Sequence, residues 1–92
     1  MEQPEERIVV SDHARAQARR RSIDVESLIE VVRFPEQSFV VRPGREIRQS
    51  RLEMPAGGTL YLLRVIVDVR PLETTIVTAY RTTRIRKYWS AT

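Results

Sequence analysis

Cysteine is missing from this chain, and histidine occurs once, at position 13. The first absence excludes a disulfide framework and any thiolate metal site. One imidazole and scattered carboxylates fall short of the usual three or four metal ligands, so neither a metal nor another cofactor is expected. Glycine is scarce, and Gly44, Gly57 and Gly58 all sit in turn sequences, which leaves no glycine-rich phosphate loop. Long apolar runs are missing too: Leu60–Leu63 is the longest, far too short to span a bilayer. The opening MEQPEER is acidic and polar, unlike a signal peptide. A cytoplasmic protein fits these absences.

Charge is what the chain has in quantity. Its 92 residues suit one domain, with 41% hydrophobic and 30% charged residues in the globular range. Sixteen basic residues against twelve acidic ones leave a net charge of +4. Fifteen of the sixteen are arginine, the exception being Lys87. Arginine forms planar, bidentate contacts to phosphate and stacks on bases, so the bias points mildly to nucleic acid. GC-rich coding sequence produces the same bias, and composition alone does not separate the two. Placement adds more. Arg15, Arg19, Arg20 and Arg21 put four positive charges into seven residues without an acid, and Arg81, Arg84, Arg86 and Lys87 do the same. Two such segments form one patch if the fold joins them.

The residue pattern predicts an α+β fold. Arg7–Val10 reads as a short strand. Ser11 is a helix N-cap, with Asp12 in the first turn where negative charge suits the helix dipole. The segment to about Arg21 is helical, docking shallowly through Ala14 and Ala18. A second helix starts at the N-cap Asp24. Ile23 and Leu28 stand at staple spacing, Val25, Leu28, Ile29 and Val32 form one apolar stripe, and Pro35 ends the helix. From there the period shortens to that of strands. Ser38–Arg42, Arg45–Met54, Leu60–Val67 and Thr74–Tyr80 are strand candidates, separated by the turns RPGR, PAGG and DVRPLE. Ile47, Leu52 and Met54 break parity, which predicts a bulge near Gln49–Arg51. LYLLRVIV reads as the central strand. The expected architecture is one domain over residues 1–92, core about 7–89: a strand, then two N-terminal helices packed on a four-strand antiparallel meander.

His13 stands in the first helical turn, where the dipole disfavours the imidazolium and a neutral ring can act as a general base. A partly buried structural histidine is the competing reading. Ser11, Asp12 and His13 are adjacent but project about 100° apart on a helix, so they do not make a triad. The second candidate is AYRTTRIRKYW, where Tyr80, Arg81, Thr82, Arg84, Lys87, Tyr88 and Trp89 interleave cations with aromatics, the mixture RNA recognition uses. Its competing reading is a core Tyr80, a Trp89 that staples the tail, and solvated arginines.

His13-Ala14, Arg21, Ile23, Val25, Ile29 and Pro35 resemble the opening of the DUF4258 domain, and Ile76–Tyr80 (IVTAY) resembles the last strand of that family. The resemblance covers roughly Ile8 to Tyr88. It departs at Gln17, Ala18 and Ser22, where family members often carry Arg, Met and Gly. DUF4258 looks related to RelE/ParE-type toxins and other small metal-independent ribonucleases. The resemblance implies two helices on an antiparallel sheet, with an RNA site on the exposed sheet face and the last strand. The resulting expectation is a toxin-like endoribonuclease of a toxin–antitoxin system, in which a ribose 2′-OH attacks the adjacent phosphate in line. His13 or Tyr88 would take the proton, Arg81 and Arg21 would stabilise the phosphorane, and Lys87 or Tyr88 would assist the leaving oxygen. Arg15, Arg19, Arg20, Arg21, Tyr80, Arg84 and Arg86 would hold RNA, free or ribosome-bound, and an acidic antitoxin protein would be the partner. The alternative is a non-catalytic basic module that binds nucleic acid or protein. On the first reading His13 and YRTTRIRKY come within roughly one phosphate's reach, ~6–8 Å.

Overall fold

A computed structural model describes residues 7–91. The elements run β1 (Arg7–Val10), α1 (Asp12–Arg20), α2 (Val25–Arg33), β2 (Gln37–Arg42), β3 (Arg45–Glu53), β4 (Leu60–Arg70), β5 (Glu73–Thr82) and α3 (Ile85–Tyr88). The sheet order is β1-β5-β4-β3-β2. The fold is α+β, but it differs from a four-strand antiparallel meander in two respects. β1 joins as a fifth strand, parallel to β5, which makes the sheet mixed. A third, short helix follows β5. The partner of a four-residue strand is a long-range choice, made here by the need to cover part of the β5 edge.

Each helix end follows from local chemistry. The Ser11 hydroxyl accepts the Ala14 N–H at 3.1 Å, and the Asp24 carboxylate accepts the Glu26 N–H at 3.2 Å, so both helices carry side-chain N-caps. α1 ends in a Schellman motif: the Ile23 N–H donates to the Ala18 carbonyl and the Ser22 N–H to the Arg19 carbonyl. Ser22 occupies the left-handed position at φ 54°, where glycine is the least strained residue.

The core lies between the helices and one face of the sheet. Ala14, Ala18, Leu28, Val31 and Val32 meet Tyr61, Leu63, Val65, Val67, Ile76 and Ala79, all buried. Val25 and Ile29 pack at its margin. α1 lies against β5, and α2 against β3 and β4. β4 is interior, with β3 on one side and β5 on the other.

No bulge occurs near Gln49–Arg51. β3 and β4 keep one register from Arg45↔Asp68 to Glu53↔Leu60. The broken parity has another cause: Leu52 and Met54 pack against the core, while Ile47 pairs with Ile66 on the opposite face. The register shifts fall instead at Val40/Arg42 in β2 and at Ile66/Val67, opposite Val77 of β5.

Candidate nucleic-acid interface

β1 pairs only with Glu73–Ile76. Beyond Ile76 the edge of β5 has no strand beside it among the described residues, and α1 supplies hydrogen bonds there instead. The Ser11 N–H donates to the Ile76 carbonyl at 3.0 Å and its hydroxyl to the Val77 carbonyl at 3.2 Å. Gln17 Oε1 accepts the Thr78 hydroxyl and, at 3.2 Å, the Ala79 N–H. Arg21 Nη1 donates to the Ala79 carbonyl at 3.1 Å. Gln17 therefore has a structural task, and Arg21 is anchored two residues before Arg81.

That anchor brings the C-terminal end of α1 to the last third of β5, which leads into Arg81 and Arg84. Arg81 pairs with Leu63 and shares its face, where its guanidinium lies 5.8 Å from the Tyr61 ring centroid. Arg81, Thr82, Thr83 and Arg84 line a cleft of ≈ 330 Å³ with Met54 and Tyr61. The Thr82 hydroxyl accepts the Arg84 N–H at 3.0 Å and sets the turn that leads into α3. Arg15, Arg19, Arg20, Arg84, Arg86 and Lys87 are all exposed. Among the described residues, none of Arg21, Arg81 and Arg84 has an ion-pair partner.

The other face carries a second cluster. Arg64 lies opposite Tyr80 and Gln49 in the ladders. Its Nη1 donates to the Tyr80 hydroxyl at 2.5 Å and its Nε to Gln49 Oε1 at 2.8 Å, while its guanidinium sits 4.4 Å from the Tyr88 ring centroid. Gln49, fully buried, donates to Gln37 Oε1 at 2.8 Å and to the Tyr88 carbonyl at 3.1 Å. Gln37 in turn takes both backbone groups of Ser90, accepting its N–H at 3.1 Å and donating to its carbonyl at 2.7 Å. Trp89 lies under the Arg51 guanidinium, 4.2 Å from its ring centroid. This relay straps residues 85–90 across the sheet. Sequence reasoning missed Gln37 and Gln49; Arg64, a charge inside an otherwise apolar strand, is readable from the sequence as needing a partner or a path to solvent.

The proposed catalytic residues are not gathered into one constellation. His13 is exposed, and its ring makes no hydrogen bond, ion pair or aromatic contact among the described residues. It stands eight positions from Arg21 on the same helix, roughly 12 Å along the axis at 1.5 Å per residue. Arg81 points to the helix-bearing face, whereas Tyr88 packs on Arg64 and Tyr80 on the opposite one. Lys87 accompanies Tyr88, its Nζ 5.4 Å from the ring centroid. Tyr80 is half-buried in that cluster rather than free to stack on a base.

Carboxylates concentrate their pairing elsewhere. Asp68 holds Arg45 in a two-bond contact at 2.7 and 3.0 Å, and Glu36 holds Arg51 at 3.2 and 2.8 Å. Hydrogen bonds from Arg45 lower the Asp68 pKa, and those from the Arg51 side chain and backbone lower that of Glu36. Among the described residues no group of three His, Asp or Glu side chains is placed to hold a metal ion, and no helix is long and apolar enough to cross a membrane. The chain matches no family model, no curated protein and no solved structure.

Proposed function

We propose that this chain is an RNA-binding domain whose contact surface is the basic rim around the end of β5. The observation that carries the reading is the hydrogen bond from Arg21 to the Ala79 carbonyl, which joins the α1 arginines to Arg81 and Arg84. Guanidinium groups without carboxylate partners keep their forks free for phosphate oxygens. The resemblance to the DUF4258 group favours RNA over DNA, and a small acidic protein of the antitoxin kind would compete for the same rim. Phosphate contacts make binding salt-dependent, with a log–log slope of about −0.7 per contact on single strands. Three contacts, from Arg21, Arg81 and Arg84, give a slope near −2. Fluorescence anisotropy with an internally labelled single-stranded RNA tests this. Each of Arg21→Gln, Arg81→Gln and Arg84→Gln weakens binding and flattens the slope by about 0.7. A triple variant that binds like the wild type overturns the reading.

Endonuclease activity is the second reading, and one observation favours it: two cations stand close to the Tyr88 ring, the Arg64 guanidinium 4.4 Å and the Lys87 Nζ 5.4 Å from its centroid. In that reaction the 2′-oxygen gives up its proton and bonds to phosphorus, the 5′-oxygen leaves and is protonated, and a 2′,3′-cyclic phosphate results. Cleavage of labelled RNA without metal, lost in Tyr88→Phe and kept in His13→Ala, is the expected pattern. RNA that stays intact with the wild-type protein leaves the binding module alone.

A further inference from the structure

We infer that the cleft between Met54, Tyr61, Arg81 and Arg84 takes the terminal phosphomonoester of an RNA strand, so that the rim reads a strand end rather than its middle. The inference rests on the RNA-binding reading above and deepens it.

Size is the first argument. The cleft measures ≈ 330 Å³, at the lower end of the usual range for ligand sites, which suits one nucleotide. Its walls are unequal. Tyr61 and Met54 close the core side with apolar surface, and Tyr61 is only 8% exposed. Arg81 and Arg84 supply the cations of the lining, beside Thr82 and Thr83.

Charge is the second argument. A terminal monoester carries up to two negative charges, and a bridging diester carries one. Two guanidinium groups with no carboxylate partner among the described residues therefore favour the monoester. The cleft at the opposite end of the sheet makes the contrast. It too gathers arginines (Arg42, Arg45 and Arg70) but Asp68 stands among them and holds Arg45 in a two-bond pair. An anion there meets a resident carboxylate; an anion beside Arg81 and Arg84 meets none among the described residues. From the cleft, the α1 arginines lie on the Arg21 side, where the following phosphates would run.

The test compares one RNA sequence, internally labelled, carrying a 5′-phosphate, a 3′-phosphate or hydroxyls at both ends. Adenosine 5′-monophosphate and 3′-monophosphate, followed by NMR on arginine side-chain signals, are the mononucleotide probes. The expected result is binding about tenfold tighter for one phosphorylated end than for the hydroxyl RNA, with the matching mononucleotide shifting the Arg81 and Arg84 signals. Arg84→Gln, at an exposed position, erases the preference, as does Arg81→Gln; Arg70→Gln keeps it. Equal affinity for all three RNAs overturns the inference and leaves the RNA-binding reading standing. A mononucleotide that binds while no RNA does leaves the cleft assignment and overturns the RNA reading. Failure of both overturns both.

Discussion

Replacing Gln49 by leucine removes the hinge of the polar relay while keeping a side chain of similar size. Gln49 is fully buried and makes three hydrogen bonds: to Gln37, to the Tyr88 carbonyl and from Arg64. The first two are neutral and contribute roughly 1 kcal/mol each; the third involves a charged donor and contributes roughly 2 kcal/mol. Leucine recovers about 1–2 kcal/mol through burial of apolar surface. Part-exposed Arg64 can turn to water and Gln37 keeps its two bonds to Ser90, but the Tyr88 carbonyl loses the Gln49 donor. The expected net loss is about 2–3 kcal/mol. Urea unfolding measures it, and the signal is built in, because Trp89 is the only tryptophan and lies in the strap. Gln49→Leu therefore also shifts Trp89 emission to longer wavelength under native conditions, as the strap lifts from Arg51. A loss below about 0.5 kcal/mol with unchanged emission would show that the strap is held by its aromatic contacts, and would refute the relay's role.

Leu28→Ala, at a side chain with no exposure in the α2 stripe, costs about 2–5 kcal/mol by thermal or urea unfolding; a loss under 1 kcal/mol would contradict its packing. Ser22→Gly relieves the left-handed backbone at the end of α1 and raises stability by about 0.5–1 kcal/mol, and destabilisation would speak against the Schellman geometry. Thr74→Val removes a buried hydroxyl that has no partner among the described residues, and stabilises by about 1 kcal/mol; a loss would reveal a hydrogen bond to Thr74. Glu36 and Asp68 both have carboxyl pKa values lowered by their arginines, so their contribution is present above the unfolded-state values of 4.5 and 3.8 and fades as pH falls through the folded ones. Urea midpoints should drop on acidification below that range, less steeply in Glu36→Gln, and an identical profile in that variant would remove the Glu36–Arg51 pair from the account.

The local elements were legible in the residues because their causes are local. Ser11 and Asp24 cap helices with their own side chains, the Val25/Leu28/Ile29/Val32 period selects one face, and Pro35 forbids continuation. The run LYLLRVIV identified the strand with neighbours on both sides, since only an interior strand is covered so completely. Tertiary structure decided what depends on distant partners. The parallel pairing of β1 with β5 joins segments more than sixty residues apart, and nothing in RIVV names its neighbour. The parity of β3 hid a residue, Ile47, that packs on the second face, so a one-face pattern suggested a bulge where the ladder is regular. The arginine segments were visible as charge, yet their union needed Arg21 to find the Ala79 carbonyl, 58 positions along the chain. His13 and Tyr88 were singled out by chemistry alone. Side-chain direction is set by helix phase and strand alternation, and these leave His13 exposed at the start of α1 and Tyr88 packed against Arg64 on the other face.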